Sequence, residues 1–441
     1  MSQQHDTAPG SAQHTSPEQP GTPTRRNLLK GLGTLGGSLL AGGALASQAH
    51  AAAETAAGTN TNANANACPD TTLQSVPFYG KHQAGIITPE PAEAVFIAFD
   101  VVGKGREDLV KLFQDLTNII AFLTKGGPAP TADVRLPPPE SGILGAQVHP
   151  DNLTMTVTVG ASLFDERFGL AAQKPVHLVE MPSFPNDALE RPWCDGDVMI
   201  QICANTRETV IYAMRYVIKN FPNRMVARWK IDGFLPARDI RNRTTPVNLM
   251  GFKDGTGNPS HEDEQLMNEM VWVGKNSREP AWAEGGSYEV VRLIRFRLEF
   301  WDRTPLGQQQ NDFGRLRATG APHGKEHEFD DPDFESDLDG NITPLDSHMR
   351  RAEPRIPERH VAKLRRRSFS YSLGLTKARQ LDMGLIFVCF QADLQTGFIQ
   401  TQMRLNGEPL EEYIKPFGGG YYFALPGTTP DSYLGQALME A

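Results

Sequence analysis

The sequence predicts an α+β protein built from two related domains, and three observations carry that prediction. Short apolar blocks read as strands, longer stretches carry helical spacing, and the order of these elements in the first half recurs more loosely in the second. In the first half, residues 95–99 (VFIAF) read as a buried strand. From 106 to 124, apolar residues at 109, 112, 113, 116, 119, 120 and 123 give the repeat of a helix face, closed by Gly126-Gly127. Leu153, Met155, Val157 and Val159 alternate as a half-buried strand, 198–204 give another, 208–219 a second helix and 225–231 a last strand. The order β-α-β-β-α-β is the ferredoxin-like arrangement, two helices on one face of an antiparallel sheet. The second half repeats the plan with a long strand at 288–300, a buried one at 384–391, a helix at 394–403 and a closing strand at 421–425. The expected domains are 76–235 and 236–441. Between the second domain's first strand and Gly384 lies an insertion, residues 303–383, far longer than an ordinary connection and so expected to carry function.

A chain of 441 residues, 39% hydrophobic and 22% charged, can bury full cores in two or three domains. Its formal charge of −9 becomes −10 without residues 1–51, which carry Arg25, Arg26 and Lys30 against Asp6 and Glu18, so a nucleic-acid partner is not expected. Those 51 residues read as a leader: adjacent arginines precede a glycine- and alanine-rich run, 31–46, too short and weakly apolar for a stable membrane span. The pattern resembles a twin-arginine export signal, with cleavage sites at Ala44-Leu45-Ala46 and Ala49-His50-Ala51 and a polar linker at 52–75. The mature protein is therefore expected outside the cytoplasm, periplasmic and not membrane-spanning, and such substrates commonly cross already folded. Cys68, Cys194, Cys203 and Cys389 include no C-x-x-C, which leaves out a zinc ribbon and a covalently attached c-type haem. Whether Cys194 pairs with Cys203 is left open.

Three stretches carry candidate chemistry. In GFKDGTGNP (251–259) three glycines permit positive φ and Pro259 restricts Asn258, so the loop is shaped around its lone acid, Asp254; by itself it reads as a tight turn. Between 350 and 367, eight cations (Arg350, Arg351, Arg355, Arg359, Lys363, Arg365, Arg366, Arg367) face only Glu353 and Glu358. Such a cluster is either a solvated face or a seat for carboxylates, which arginine pairs in bidentate fashion. Residues 335–346 (ESDLDGNITPLD) imitate a calcium loop, but Asp346 stands where a bidentate Glu is usual and Pro332 and Pro344 oppose flanking helices, so calcium is not expected. His348 follows at once.

GFKDGTGNP, PLDSHMRRAEPR and RRSFSYSLG, in that order and with His348 and Arg366 eighteen residues apart, resemble the dye-decolorizing peroxidases. PFYGKHQAGI, EFWDRTPLG, GLIFVCFQADL and PFGGGYYFALPG narrow the resemblance to the exported deferrochelatase/peroxidase (EfeB) type, from about Pro77 to the C-terminus. The resemblance implies two ferredoxin-like domains of the dimeric α+β barrel type, with one non-covalent haem b in the C-terminal domain. His348 is then the iron ligand, and Asp254 and Arg366 are the catalytic residues on the opposite, distal side. Gly255, Thr256 and Gly257 lie at the macrocycle edge, and Glu353, Pro354 and Arg355 border it, Arg355 suited to a propionate. Ser368 departs from members that carry a distal asparagine.

Peroxide cleavage needs a proton moved between the two oxygens and negative charge stabilised as the bond breaks; Asp254 is suited to the first task and Arg366 to the second. A carboxylate on the other nitrogen of His348 would raise its donor strength, with Glu408, Glu411 and Glu412 as candidates. Leu385, Phe387 and Phe390 are candidates for an apolar wall, or are plain core. The implied partners are hydrogen peroxide and bulky organic reductants, oxidised at the surface through relays such as Trp301, Tyr371 or Tyr422. The alternative is a deferrochelatase that takes iron from haem and leaves the porphyrin intact, alongside iron-uptake components. A homodimer is expected.

Overall fold

A computed structural model describes residues 71–131, 133–355 and 364–441. The leader, most of the polar linker, Cys68, Arg359 and Lys363 lie outside the described residues. In the first half the elements are β1 Glu93–Val101, α1 Arg106–Lys125, the short pair β2 Gly127–Pro128 and β3 Gln147–Val148, β4 Thr154–Gly160, β5 Val198–Ala204, α2 Arg207–Asn220 and β6 Met225–Phe234. The end of the expected linker is already part of this half: Thr71–Leu73 forms a 3-10 turn, and Thr72 and Gln74 accept backbone bonds from Asp151 and Asn152, each at 2.7 Å.

The second half carries β7 Ser287–Phe296, β8 Arg365–Arg366, β9 Phe369–Leu375, β10 Leu381–Gln391 and β11 Ile414–Ala424. Three expectations are corrected there. The strand expected to reach residue 300 stops at Phe296 and gives way to a helical turn, Leu298–Trp301. The insertion expected over 303–383 contains β8, β9 and the first residues of β10, so the cover between strands is shorter than it looked. The helix expected at 394–403 opens with a π turn, Gln395–Ile399, before the α-helix Gln400–Leu405.

Both halves have the same strand order, β4-β5-β1-β6 in one and β11-β7-β10-β9 in the other. They join where β11 lies against β4 (Tyr422 opposite Gly160) and β6 meets β9 (Phe234 opposite Ser370); with β7 paired to β10, eight strands close on themselves. Because side chains alternate across a strand, each strand feeds two cores. Inside the ring lie Phe96, Ala98, Met199, Val291, Leu293, Ile386, Val388, Phe390 and Tyr422. Outside the first half, Val95, Ile97 and Phe99 meet Leu109, Leu112, Phe113, Leu116, Ile120 and Leu123 of α1, every one of these helix residues at most 1% exposed. Burial of such side chains is worth about 1.5–3 kcal/mol each, which is why α1 is stable at that face.

Among the described residues the second half has no long helix in the equivalent place. The outward residues Ile294, Leu385 and Phe387 stay half-buried, and short helices, Leu306–Phe313 and His348–Ala352, stand over that face with the insertion. Cys194, Cys203 and Cys389 are buried thiols with no disulfide among the described residues. No helix among them is long and apolar enough to cross a membrane.

Candidate active site

The Asp254 loop is built by local bonds. The Asn248 side chain accepts from the amides of Met250 (3.0 Å) and Phe252 (3.3 Å), and the Asp254 amide donates to the Pro246 carbonyl at 2.8 Å. Gly251 (φ 85°) and Gly255 (φ 135°) use the positive φ expected of them, but Gly257 does not. A Cβ at Gly257 would stand at ordinary contact distance, 3.6 Å, from Arg366 Nη2. The Asp254 carboxylate is consequently aimed outward, where its Oδ1 accepts from Arg366 Nη1 at 3.1 Å, the two side chains 18% and 27% exposed. The loop is not a plain turn with its acid folded back on itself.

Arg366 is held through its main chain. Its amide donates to Asn258 Oδ1 at 3.0 Å and its carbonyl accepts from Asn258 Nδ2 at 2.9 Å, so the amide side chain acts as one more rung beside β8. Pro259 biases Asn258 toward extended backbone, which suits that alignment; the restriction was legible in the sequence, the role of the Asn258 side chain was not. The alternation of β8 sends the flanking arginines to the other face, where Arg365 Nη2 lies 3.1 Å and Arg367 Nη1 3.6 Å from Glu90 Oε1. Ser368, two residues beyond Arg366 and like it half-buried, has its hydroxyl accept from the Val388 amide at 3.4 Å.

His348 opens the short helix His348–Ala352, whose last carbonyls are capped by Arg404, with Nε on Arg351 O (3.1 Å) and Nη2 on Ala352 O (2.9 Å). Of the three candidate carboxylates, Glu408 is the partner: its Oε2 lies 2.7 Å from His348 Nδ1 and its side chain is 4% exposed. Glu411 instead accepts from the Gly407 amide, and Glu412 is exposed. A carboxylate only accepts, so Nδ1 carries the proton and Nε2 is the unprotonated nitrogen. Burial disfavours the His348 cation, but the charge and hydrogen bond of Glu408 outweigh it and hold the imidazole above its ordinary value; the charges of Arg366 and Asp254 also reach it. Phe313 stands edge-on, ring centres 6.3 Å apart.

A cationic group completes the arrangement. Arg315 is pushed down to about 10, first by burial and then by Arg355 and Arg366 nearby. Its Nη1 donates to the carbonyls of Gly320 (2.7 Å) and Glu328 (3.0 Å). Arg355 adopts φ 52°, a conformation uncommon for a side-chain-bearing residue, and its Nε is buried without a hydrogen-bond partner. It contacts Asp331 and lies 3.8 Å from Glu353 Oε2. Three guanidiniums with one orphaned donor fit a ligand that carries carboxylates. Pro354 lies between Glu353 and Arg355, and Thr256 donates to Glu328 Oε1 at 2.9 Å. Neither Arg315 nor Glu328 was picked out by the sequence reading.

Other expectations sort on geometry. Leu385 and Phe387 share the outward face of β10, whereas Phe390, of opposite parity, lies in the ring interior and forms no wall with them. Trp301, Tyr371 and Tyr422 are all at most 2% exposed. Tyr371 and Tyr422 fill the ring interior; Trp301 donates to Met250 O at 2.9 Å and meets Tyr413 edge-on at 4.8 Å. The calcium-like loop spends its central acid internally: Asp337 accepts from the Ile342 (3.0 Å) and Thr343 (2.8 Å) amides and from Arg350 Nη1 (2.9 Å). His323 and His327 stand at H-x-x-x-H spacing but lie outside any helix, so they form no helical pair, and His323 bonds the Gln310 carbonyl. No group of three potential ligands that could hold a metal ion occurs among the described residues.

Family models agree with this layout. Residues 83–235 match the N-terminal model of Dyp-type peroxidase and 245–429 its C-terminal model. The chain belongs to the Dyp-type peroxidase family. It is an enzyme of the haem peroxidase class. A deferrochelatase of Escherichia coli (strain UTI89 / UPEC) is 53% identical over 422 residues, 95% of this chain and 97% of that one. A DyP-type peroxidase from Cellulomonas bogoriensis superimposes with TM-score 0.75 at 33% identity, covering 84% of this chain and 100% of the other. Ferric DtpA from Streptomyces lividans gives 0.76 at 32%, covering 85% and 100%. The Dyp-type fold accounts for the two like halves and the closed ring.

Proposed function

We propose that this Dyp-type peroxidase holds one haem b, non-covalently, against the outward face of the second half, and uses hydrogen peroxide to oxidise bulky organic donors. Structures of the family bind haem. The observation that carries the reading is the pairing of two polar sets in one half: His348 with Glu408, and Asp254 with Arg366. The residues present fit the group: Nε2 of His348 for the iron, Arg315 and the orphaned Nε of Arg355 for propionates, Gly255 and Gly257 for close approach at the edge, half-buried Leu385 and Phe387 for the ring. Bound haem supplies the iron that takes oxidising equivalents from peroxide and passes them to donors.

The chain's own residues supply the rest. Glu408 holds the Nδ1 proton, which fixes the imidazole's tautomer and raises its basicity. Asp254 takes a proton from one peroxide oxygen and returns it to the other, and Arg366, 3.1 Å from that carboxylate, stabilises the negative charge that grows as the bond breaks. Asn258 keeps Arg366 from retreating. The buried Trp301, in contact with Tyr413, is a route by which a donor too large for the pocket is oxidised at the surface; Phe300, 46% exposed, stacks on Tyr413. An absorption spectrum of protein supplied with haem tests the whole reading: a Soret band is expected, and its absence would remove it.

A second reading, release of iron from haem with the porphyrin left intact, is favoured by the name of the relatives at 51–53% identity over 95% of the chain. It uses the same pocket. Anaerobic incubation with haem and mass spectrometry of the tetrapyrrole separates the two, since metal-free porphyrin is expected only from extraction. Export by the twin-arginine pathway to the periplasm, a homodimer and iron-uptake partners complete the proposal; replacing Arg25 and Arg26 with Lys should hold the protein in the cytoplasm.

A further inference from the structure

Asp254 is aimed by its loop, and the loop by a residue far from it in sequence. Glu328, in the insertion, has a side chain only 10% exposed. One carboxylate oxygen takes the ammonium of Lys253, the residue directly before Asp254, and the other accepts from Thr256 Oγ1, two residues after it, at 2.9 Å. Its own carbonyl accepts from Arg315 Nη1 at 3.0 Å, so the same residue also ties down the buried arginine that senses Arg355 and Arg366. No bond from Glu328 reaches Asp254 or Arg366 themselves; it grips both flanks of the acid and leaves the acid free to work.

We propose that Glu328 is a positioning residue for peroxide activation, fixing the Asp254 carboxylate by clamping Lys253 and Thr256 on either side of it. The proposal rests on Asp254 acting on peroxide. A buried carboxylate that accepts from both an ammonium and a hydroxyl is held strongly, because charge-assisted bonds are about twice as strong as neutral ones. A carboxylate allowed to drift by 1 Å from its working position loses about 10²-fold in rate.

The test uses haem-loaded enzyme carrying Glu328→Ala, and Glu328→Gln in case the first folds poorly, since Gln keeps the size and one acceptor for Thr256. Two readouts are needed. Amide hydrogen exchange across 251–259 should accelerate about tenfold or more in Glu328→Ala, with α1 unchanged and the haem spectrum retained. The rate of the peroxide-dependent spectral change should fall about 10²-fold. In an Asp254→Asn background, Glu328→Ala should cost little more, because groups acting through one another are non-additive. Multiplying losses in the double variant, or faster exchange with a wild-type peroxide rate, would overturn the positioning role alone. Asp254→Asn as fast as wild type would instead remove the assignment of Asp254, and the proposal with it.

Discussion

The two halves of the molecule share a strand order and differ in what covers the outward face of the sheet. In the first half α1 and α2 seal it, with Leu116 and Ile120 wholly buried against Val95, Ile97 and Phe99. In the second half, loops and short helices replace the long helix, apolar residues such as Leu385 stay half-buried, and the polar groups that remain are paired across long stretches of sequence: Asp254 with Arg366, His348 with Glu408, Glu328 with Lys253. The lesson is that the same scaffold becomes a site where a helix is exchanged for a cover that leaves apolar surface and charge facing one another. A sealed face can only be stable; an incompletely sealed one can hold something.

The sharpest way to break this comparison is His348→Ala. Haem retention should be lost, read as disappearance of the Soret band, while exchange protection of α1 stays as in wild type. Wild-type haem occupancy with an unchanged ligand signature would show that the second half does not use His348. Next come the two distal residues. Arg366→Leu should slow the peroxide-dependent spectral change by about 10²–10³, and Asp254→Asn by about 10²–10⁴, both with haem retained. Magnitude alone does not separate their roles. Asp254→Glu keeps a proton acceptor and should recover part of the rate, and Arg366→Lys keeps a positive charge and should do so at its own position, so each conservative variant tests one role.

The same contrast explains what the sequence disclosed. Leu109, Leu112, Leu116 and Ile120 announce α1 because packing against a flat sheet imposes one periodicity along the whole helix. β9 escaped notice because only its first three residues, Phe369 to Tyr371, are buried, and the remainder of FSYSLGL is exposed, so no alternation marks it. His348, Asp254 and Arg366 were legible from short motifs and their order. The roles of Asn258 and Glu328 were not, since each acts through a bond to a residue 72 or more positions away, and Arg315 was not, because it bonds only the carbonyls of Gly320 and Glu328, which no motif marks. Glu408 was one of three candidate carboxylates, and its 2.7 Å contact with His348 Nδ1 singled it out.

A substitution in the sealed half should have the opposite signature to His348→Ala. Leu116→Ala leaves a cavity between α1 and the sheet and should cost about 2–5 kcal/mol of stability, seen as a lower Tm and midpoint in denaturant. Below the transition the haem spectrum and the peroxide rate should match wild type. Coupled loss of haem at temperatures where the variant is folded would mean that the halves are not functionally separate.

The smallest effect concerns how the cover of the second half holds itself together. Asp337 anchors it by accepting from the Thr343 and Ile342 amides and from Arg350, and these bonds, the Thr343 amide foremost, hold the carboxyl below its ordinary value against the opposing effect of burial. A carboxyl depressed by folding contributes stability that is present above its unfolded value and is lost as pH falls through the folded value. As pH is lowered, amides over 337–350 should therefore lose exchange protection before those of α1, whose packing against the sheet is apolar. Added calcium should change neither the order nor the Tm, because the oxygens that a calcium loop would offer at Asp337 are already spent on backbone amides and a guanidinium. A calcium-dependent rise in Tm would mean that the cation displaces Arg350, and simultaneous loss of protection in both regions would mean that the cover and the sealed half unfold as one.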